Sequence, residues 1–105
     1  MTTPQPVLTP QETTPRTAPL WNVVLLDDDD HSYEYVIEML QNLFHHNRET
    51  AWRMAREVDT AGRVIVDTTT RERAELKRDQ IHAYGADPRI ERSKGSMSAA
   101  IEPAR

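Results

Sequence analysis

The chain has 105 residues, enough for one compact domain. It carries 13 Lys and Arg against 17 Asp and Glu, a formal charge of -4, so it lacks the basic face with which nucleic-acid binders neutralise phosphates and suits a positively charged partner better. With no cysteine it has no disulfide scaffold, no thiolate nucleophile and no Cys-ligated zinc site.

Residues 1–18 are mostly Thr, Pro, Gln and Glu. Pro4, Pro6, Pro10 and Pro15 each remove a backbone donor and disfavour helix at the residue before. Such a segment buries too little surface to offset its ordering entropy, and a disordered, partly extended tail is expected. Its composition fits an inert terminus or a functional arm. The domain proper is expected over residues 19–105.

Leu20 to Leu26 is short and rich in β-branched and aromatic residues, which predicts a strand buried on at least one face. Its Val23 to Leu26 core is the longest apolar run in the chain, far too short to span a bilayer. The N-terminus has no basic region followed by an apolar one, so no secretory signal is expected and the expected compartment is the cytoplasm. Four aspartates follow, Asp27 to Asp30, then His31 and Ser32. Ser32 is a predicted N-cap for a helix over 33–45, in which Val36, Ile37, Leu40, Leu43 and Phe44 recur at three- and four-residue steps.

Asn47 is placed to cap a second helix over 48–59, with Ala51, Met54, Ala55 and Val58 on its inner side and Gly62 as its stop. A second strand is predicted over 64–69. Thr70 then caps a third helix over 71–84, carrying Ala74, Leu76, Lys77, Gln80 and Ile81 and ended by Gly85 and Pro88. Residues 86–95 read as a polar loop closed by Gly95, and Met97 to Ile101 as a last short strand. The order β-α-α-β-α-β is α+β: a three-stranded antiparallel sheet packed against helices. No internal repeat is visible, and a monomer is expected.

The acidic run is the most unusual feature. Four adjacent carboxylates repel one another, which a chain tolerates in a solvated strand-to-helix turn or where a cation neutralises them. That cation is an α-amino group, a Lys or Arg side chain, or a hard metal ion. A magnesium-dependent enzyme built on Asp27 to Asp30 and His31 is one alternative. The spacing opposes it, since the Gly and distal Glu of a calcium loop are missing and 3 glycines are too few for a phosphate-cradling loop. His45 and His46, about 100° apart on a helix, do not chelate one ion easily, and His82 reads as an ordinary polar residue. No nucleophile elbow surrounds Ser32, Ser93, Ser96 or Ser98. No cofactor and no metal are therefore expected.

Val23-Val24-Leu25-Leu26-Asp27-Asp28-Asp29 resembles the signature of the ClpS family, a hydrophobic strand ending in Asn-Asp-Asp. The family's Thr-Pro-Met-Glu-Phe-Val-like segment is matched by His31-Ser32-Tyr33-Glu34-Tyr35-Val36. Agreement continues at Leu40-Gln41, Leu43-Phe44, Glu49, Ala51, Val58, Gly62, Thr70, Ala74-Glu75-Leu76-Lys77 and Tyr84. It covers residues 19–84 without a gap and Met97 to Glu102 more loosely.

The resemblance implies an adaptor, not an enzyme. ClpS-like adaptors bind proteins whose first residue is Phe, Tyr, Trp or Leu and dock them on the N-terminal domain of a Clp unfoldase. By position, the client's α-amino group falls to Asp27, Asp28 and Asp59. The pocket for its first side chain falls to His31, Tyr33, Val36, Ala55, Val58 and Met97, and the unfoldase contact in part to Glu72 and Lys77. The tail matches an arm that engages the unfoldase. Four positions depart from the family: Asp59 stands for His, Asp27 for Asn, Tyr33 for a gating Met and Ala55 for a bulky Met. These changes leave two adaptor readings, altered client preference or a regulator of the unfoldase that no longer reads N-terminal residues.

Overall fold

A computed structural model describes residues 18–91 and 93–105. The expected tail over 1–18 lies, but for Ala18, outside them. Six elements follow in the order β1 (Trp21–Leu26), α1 (Tyr33–Phe44), α2 (Arg48–Ala61), β2 (Arg63–Thr69), α3 (Arg71–His82) and β3 (Ser98–Pro103). This is the expected β-α-α-β-α-β order.

β1 is the central strand of an antiparallel sheet of order β2-β1-β3. It is the most apolar strand, and Val23, Val24 and Leu25 are buried. Leu26 pairs with Arg63 on one side and Ser98 on the other. The β1–β2 register shifts between Val23 and Val24, where partners pass from Asp67 to Ile65 and Val66 is the extra residue of a bulge. On β2, Val64 and Val66 face the core while Ile65 is 43% exposed, the two-residue alternation of a half-covered strand.

The three helices bury Val36, Ile37, Met39 and Leu40 of α1, Ala51, Ala55 and Val58 of α2, and Ala74 and Ile81 of α3 against Val23, Leu25, Val64 and Val66 of the sheet. Their N-termini are capped as the sequence predicts. The side chains of Ser32, Asn47 and Thr70 accept from the backbone N–H of Tyr35, Thr50 and Arg73.

Helix ends depart from expectation. α1 stops at Phe44, because His45 adopts φ 60° and donates its N–H to the Gln41 carbonyl as a left-handed C-cap. α2 runs two residues past the predicted end, to Ala61, and stops where Gly62 takes φ 87°. α3 ends at His82, not Tyr84. On α3, Leu76 is 49% exposed while Lys77 is buried, so the helix turns Ala74, Lys77 and Ile81 inward. The Lys77 ammonium donates to the Leu43 carbonyl at the end of α1 and lies 5.4 Å from the centre of the Phe44 ring.

The described residues between α3 and β3, 83–91 and 93–97, form no regular element, yet they are anchored. Asp87 is 1% exposed, and its carboxylate accepts from the N–H of Ser32 at 2.7 Å, the N–H of Arg89 at 3.0 Å and Arg89 Nη1 at 3.2 Å. The Tyr35 hydroxyl donates to the Gly85 carbonyl, and the Ser96 hydroxyl accepts from the Gly85 N–H. The last residues of this segment are thereby set against the start of α1.

Candidate functional site

The site begins where β1 runs out. The Asp27 N–H donates to the Gly62 carbonyl at 3.0 Å, which ties the end of β1 to the cap of α2. That bond brings Asp27 into the field of Asp59, in the last turn of α2. Burial pushes the Asp27 carboxyl up, a hydrogen bond from the Asp28 backbone pulls it down, and the charges of Asp59, Asp28 and Asp29 push it up again; the net shift is upward.

Asp28 is held by its neighbours. One of its oxygens accepts from the Asp30 N–H at 3.0 Å, and the His31 Nδ1 lies 2.8 and 3.0 Å from its two oxygens. The other ring nitrogen of His31, Nε2, lies 2.7 Å from the Gly95 carbonyl. With its side chain only 3% exposed and its ring 4.5 Å from that of Tyr35, His31 is a fixed strut between the acidic run and the segment before β3.

α1 and α2 pack side by side, and their helical spacing supplies the walls. Tyr33 and Val36 share a face three residues apart on α1; Ala55, Val58 and Asp59 share one at three- and four-residue steps on α2. Met97, 2% exposed, closes the floor from the residue before β3. Val36, Ala55 and Val58 are buried with it. Asp27, Asp28 and Asp59 form an exposed acidic rim. The Tyr33 hydroxyl donates to Asp59 Oδ2 at 2.8 Å across this rim, and that bond, with burial and the Asp59 charge, holds the phenol above its ordinary pKa.

The result is one cleft lined by Asp27, Asp28, His31, Ser32, Tyr33, Val36, Ala55, Val58, Asp59 and Met97, with free space of about 30 Å3. The structure gathers all nine positions named from the sequence for the amine site and side-chain pocket, and adds Ser32, recognised from sequence only as a cap. Asp87, Ser93 and Gly95 brace Ser32 and His31 from behind, and the sequence marks them only as parts of a polar loop that Gly95 closes.

Glu72 and Lys77 stand elsewhere. Glu72 lines an open groove of about 360 Å3 with Thr70, Arg73 and Leu76. Lys77 sits beneath the surface of the same helix, its ammonium committed to Leu43. Among the described residues no three His, Asp or Glu are grouped to hold a metal ion, and no helix is long and apolar enough to cross a membrane.

An acidic rim over an apolar floor is a site for a group that is cationic at one end and apolar at the other. The family model for the ATP-dependent Clp protease adaptor protein ClpS matches residues 16–89. The chain belongs to the ClpS family. Like other ClpS proteins it is an adaptor of the Clp protease, a binding protein and not an enzyme. Its structure is similar to that of ClpS2 from Agrobacterium tumefaciens bound to L-phenylalaninamide, with 25% sequence identity and a TM-score of 0.70 over 82% of this chain and 98% of that one.

Proposed function

We propose that this ClpS-family protein reads the N-terminal residue of client proteins and delivers them to a Clp AAA+ unfoldase–protease in the cytoplasm. In this reading Asp27, Asp28 and Asp59 hold the client's α-ammonium. His31 and Tyr33 flank the entrance, and Val36, Ala55, Val58 and Met97 receive the first side chain. The N-terminal domain of the unfoldase docks on the Glu72 face of α3, with Lys77 supporting that face from inside, and residues 1–18 serve as the arm that engages it. Residues 19–105 are the adaptor domain.

The observation that carries the reading is the composition of the single cleft between α1, α2 and the end of β1: three carboxylates over a floor of four buried apolar residues. An α-ammonium is a compact cation with three donors, and carboxylates accept charge-assisted hydrogen bonds from it. Each methylene of the first side chain that reaches the floor adds roughly 0.8 kcal/mol. The phenylalaninamide bound to the A. tumefaciens relative has such a make-up, a free α-amine beside an aromatic side chain.

A reconstituted degradation assay tests delivery. A reporter protein beginning with Phe, incubated with the cognate unfoldase–protease, is expected to be degraded faster when this chain is added. Its N-acetylated counterpart is expected to show no such acceleration. Equal acceleration of both reporters would point to a regulator that does not read N-termini.

A further inference from the structure

One side-chain bond joins two residues that line the cleft. Tyr33 opens α1 and Asp59 lies in the last turn of α2, so the 2.8 Å bond between them crosses the entrance. The cleft that both residues line holds about 30 Å3 of free space, an order of magnitude below the ~300–1,000 Å3 of sites that take small molecules. An apolar side chain reaches Val36, Ala55, Val58 and Met97 only after the phenol ring moves aside. Tyr33 is 37% exposed, so solvent is open to the displaced ring.

The bond that closes the pocket uses a carboxylate that the reading above assigns to the amine. We propose that Tyr33 and Asp59 form a latch, opened when a client's α-ammonium takes Asp59 from the phenol, so that the side-chain pocket opens only to a free N-terminus. The inference rests on the N-terminus reading and deepens it, because it makes Tyr33 the residue that sets how strongly a client must bind the carboxylates before its side chain enters the pocket.

The competition favours the amine. The phenol offers Asp59 one neutral donor, whereas an ammonium offers three donors and a full charge, and contacts between two ions are the stronger kind. Asp27 and Asp28 attract the ammonium as well, whereas the hydrogen bond of the phenol goes to Asp59. An acetylated terminus is neutral, gains nothing from those charges and leaves the latch shut. A closed latch also weakens binding of every client by the fraction of time the pocket is open.

The test is Tyr33→Phe, which removes the hydroxyl and keeps the ring, in the full chain. Titration with peptides that begin with Phe, free or acetylated at the amine, is expected to give affinity about tenfold higher than wild type for the free peptide. The acetylated peptide is expected to gain by the same factor, because both peptides meet the same cost of opening the latch. Binding by Tyr33→Phe where wild type shows none is the same result in stronger form. Wild-type affinity for both peptides in Tyr33→Phe would overturn the latch and leave the N-terminus reading standing. Failure of both proteins to bind any free-amine peptide would overturn the reading and the latch with it. A readout independent of peptide is the titration of the Tyr33 phenol by 13C NMR. Asp59→Ala is expected to move it to lower pH, because the carboxylate acceptor holds the phenolic proton, and an unmoved titration would overturn the latch.

Discussion

Replacing Asp87 by Asn removes a charge and almost no volume from the residue that pins the 83–97 segment to the start of α1. The carboxylate accepts from three donors, the N–H of Ser32, the N–H of Arg89 and the Arg89 side chain. Burial alone would push the carboxyl up. The hydrogen bonds from Ser32 and Arg89 outweigh it and hold the pKa at about 2, against an ordinary 3.8. At about 1.4 kcal/mol for each tenfold change in acidity, that depression is worth about 2 kcal/mol. Counting bonds gives a similar figure: Asn turns its amide group towards a donor and loses one charge-assisted bond, at about 1.5–3 kcal/mol. Asp87→Asn is therefore expected to lose about 2–3 kcal/mol at pH 7. For a domain of this size that lowers Tm by roughly 8–24 °C.

The sign of the pH dependence follows from the same carboxyl. A depressed folded-state pKa gives stability that is present above the unfolded value and lost as pH falls through the folded one. The gap between wild type and Asp87→Asn is thus full at neutral pH and narrows as pH falls from about 4 to about 2. Thermal and urea denaturation followed by circular dichroism across that range measures it. A gap under about 0.5 kcal/mol at pH 7, or one that persists unchanged to pH 2, would refute the account of Asp87.

Three further outcomes are expected. Affinity for a free-amine peptide rises with pH through the raised pKa of Asp27, because the ammonium binds the ionised carboxylate, and Asp27→Asn flattens that rise; binding isotherms at a series of acid pH values measure it. Lys77→Met keeps the stem but leaves the Leu43 carbonyl without its donor and Phe44 without its cation, and chemical denaturation is expected to show a loss of about 1–2 kcal/mol. Asn47→Ala removes the side chain that accepts from the Thr50 N–H and is expected to cost about 1 kcal/mol in the same assay.

Local chemistry made much of this fold readable. Ser32, Asn47 and Thr70 cap helices because each offers an oxygen to an N–H three residues on, and Gly62 ends α2 because it takes a positive φ at no steric cost. Position 45 carries no such mark, since a histidine in a left-handed cap looks like any histidine in a sequence. The exposure of Leu76 and the burial of Lys77 have a packing cause. Ala74, Lys77 and Ile81 point inward at three- and four-residue steps, and a lysine stem is apolar enough to be buried when its ammonium finds an acceptor.

The site was legible as a set of residues and not as a state. Asp27, Asp28, Asp59 and the pocket positions came from resemblance to a family, and the spacing of α1 and α2 residues on facing surfaces explains why they meet. The Tyr33–Asp59 bond joins residues 26 apart, and the Asp87–Ser32 bond residues 55 apart. Each depends on how whole elements pack, which no local pattern records.

The central claim is that the acidic rim reads a free α-amine, and competition between two peptides tests it most directly. Fluorescence polarisation of a short peptide beginning with Phe, free or acetylated at its amine, is measured against the full chain. The account predicts saturable binding of the free peptide and a Kd at least about tenfold weaker for the acetylated one, about 1.4 kcal/mol or more for the lost charge. Equal affinity for the two peptides, or no binding of either, would contradict it.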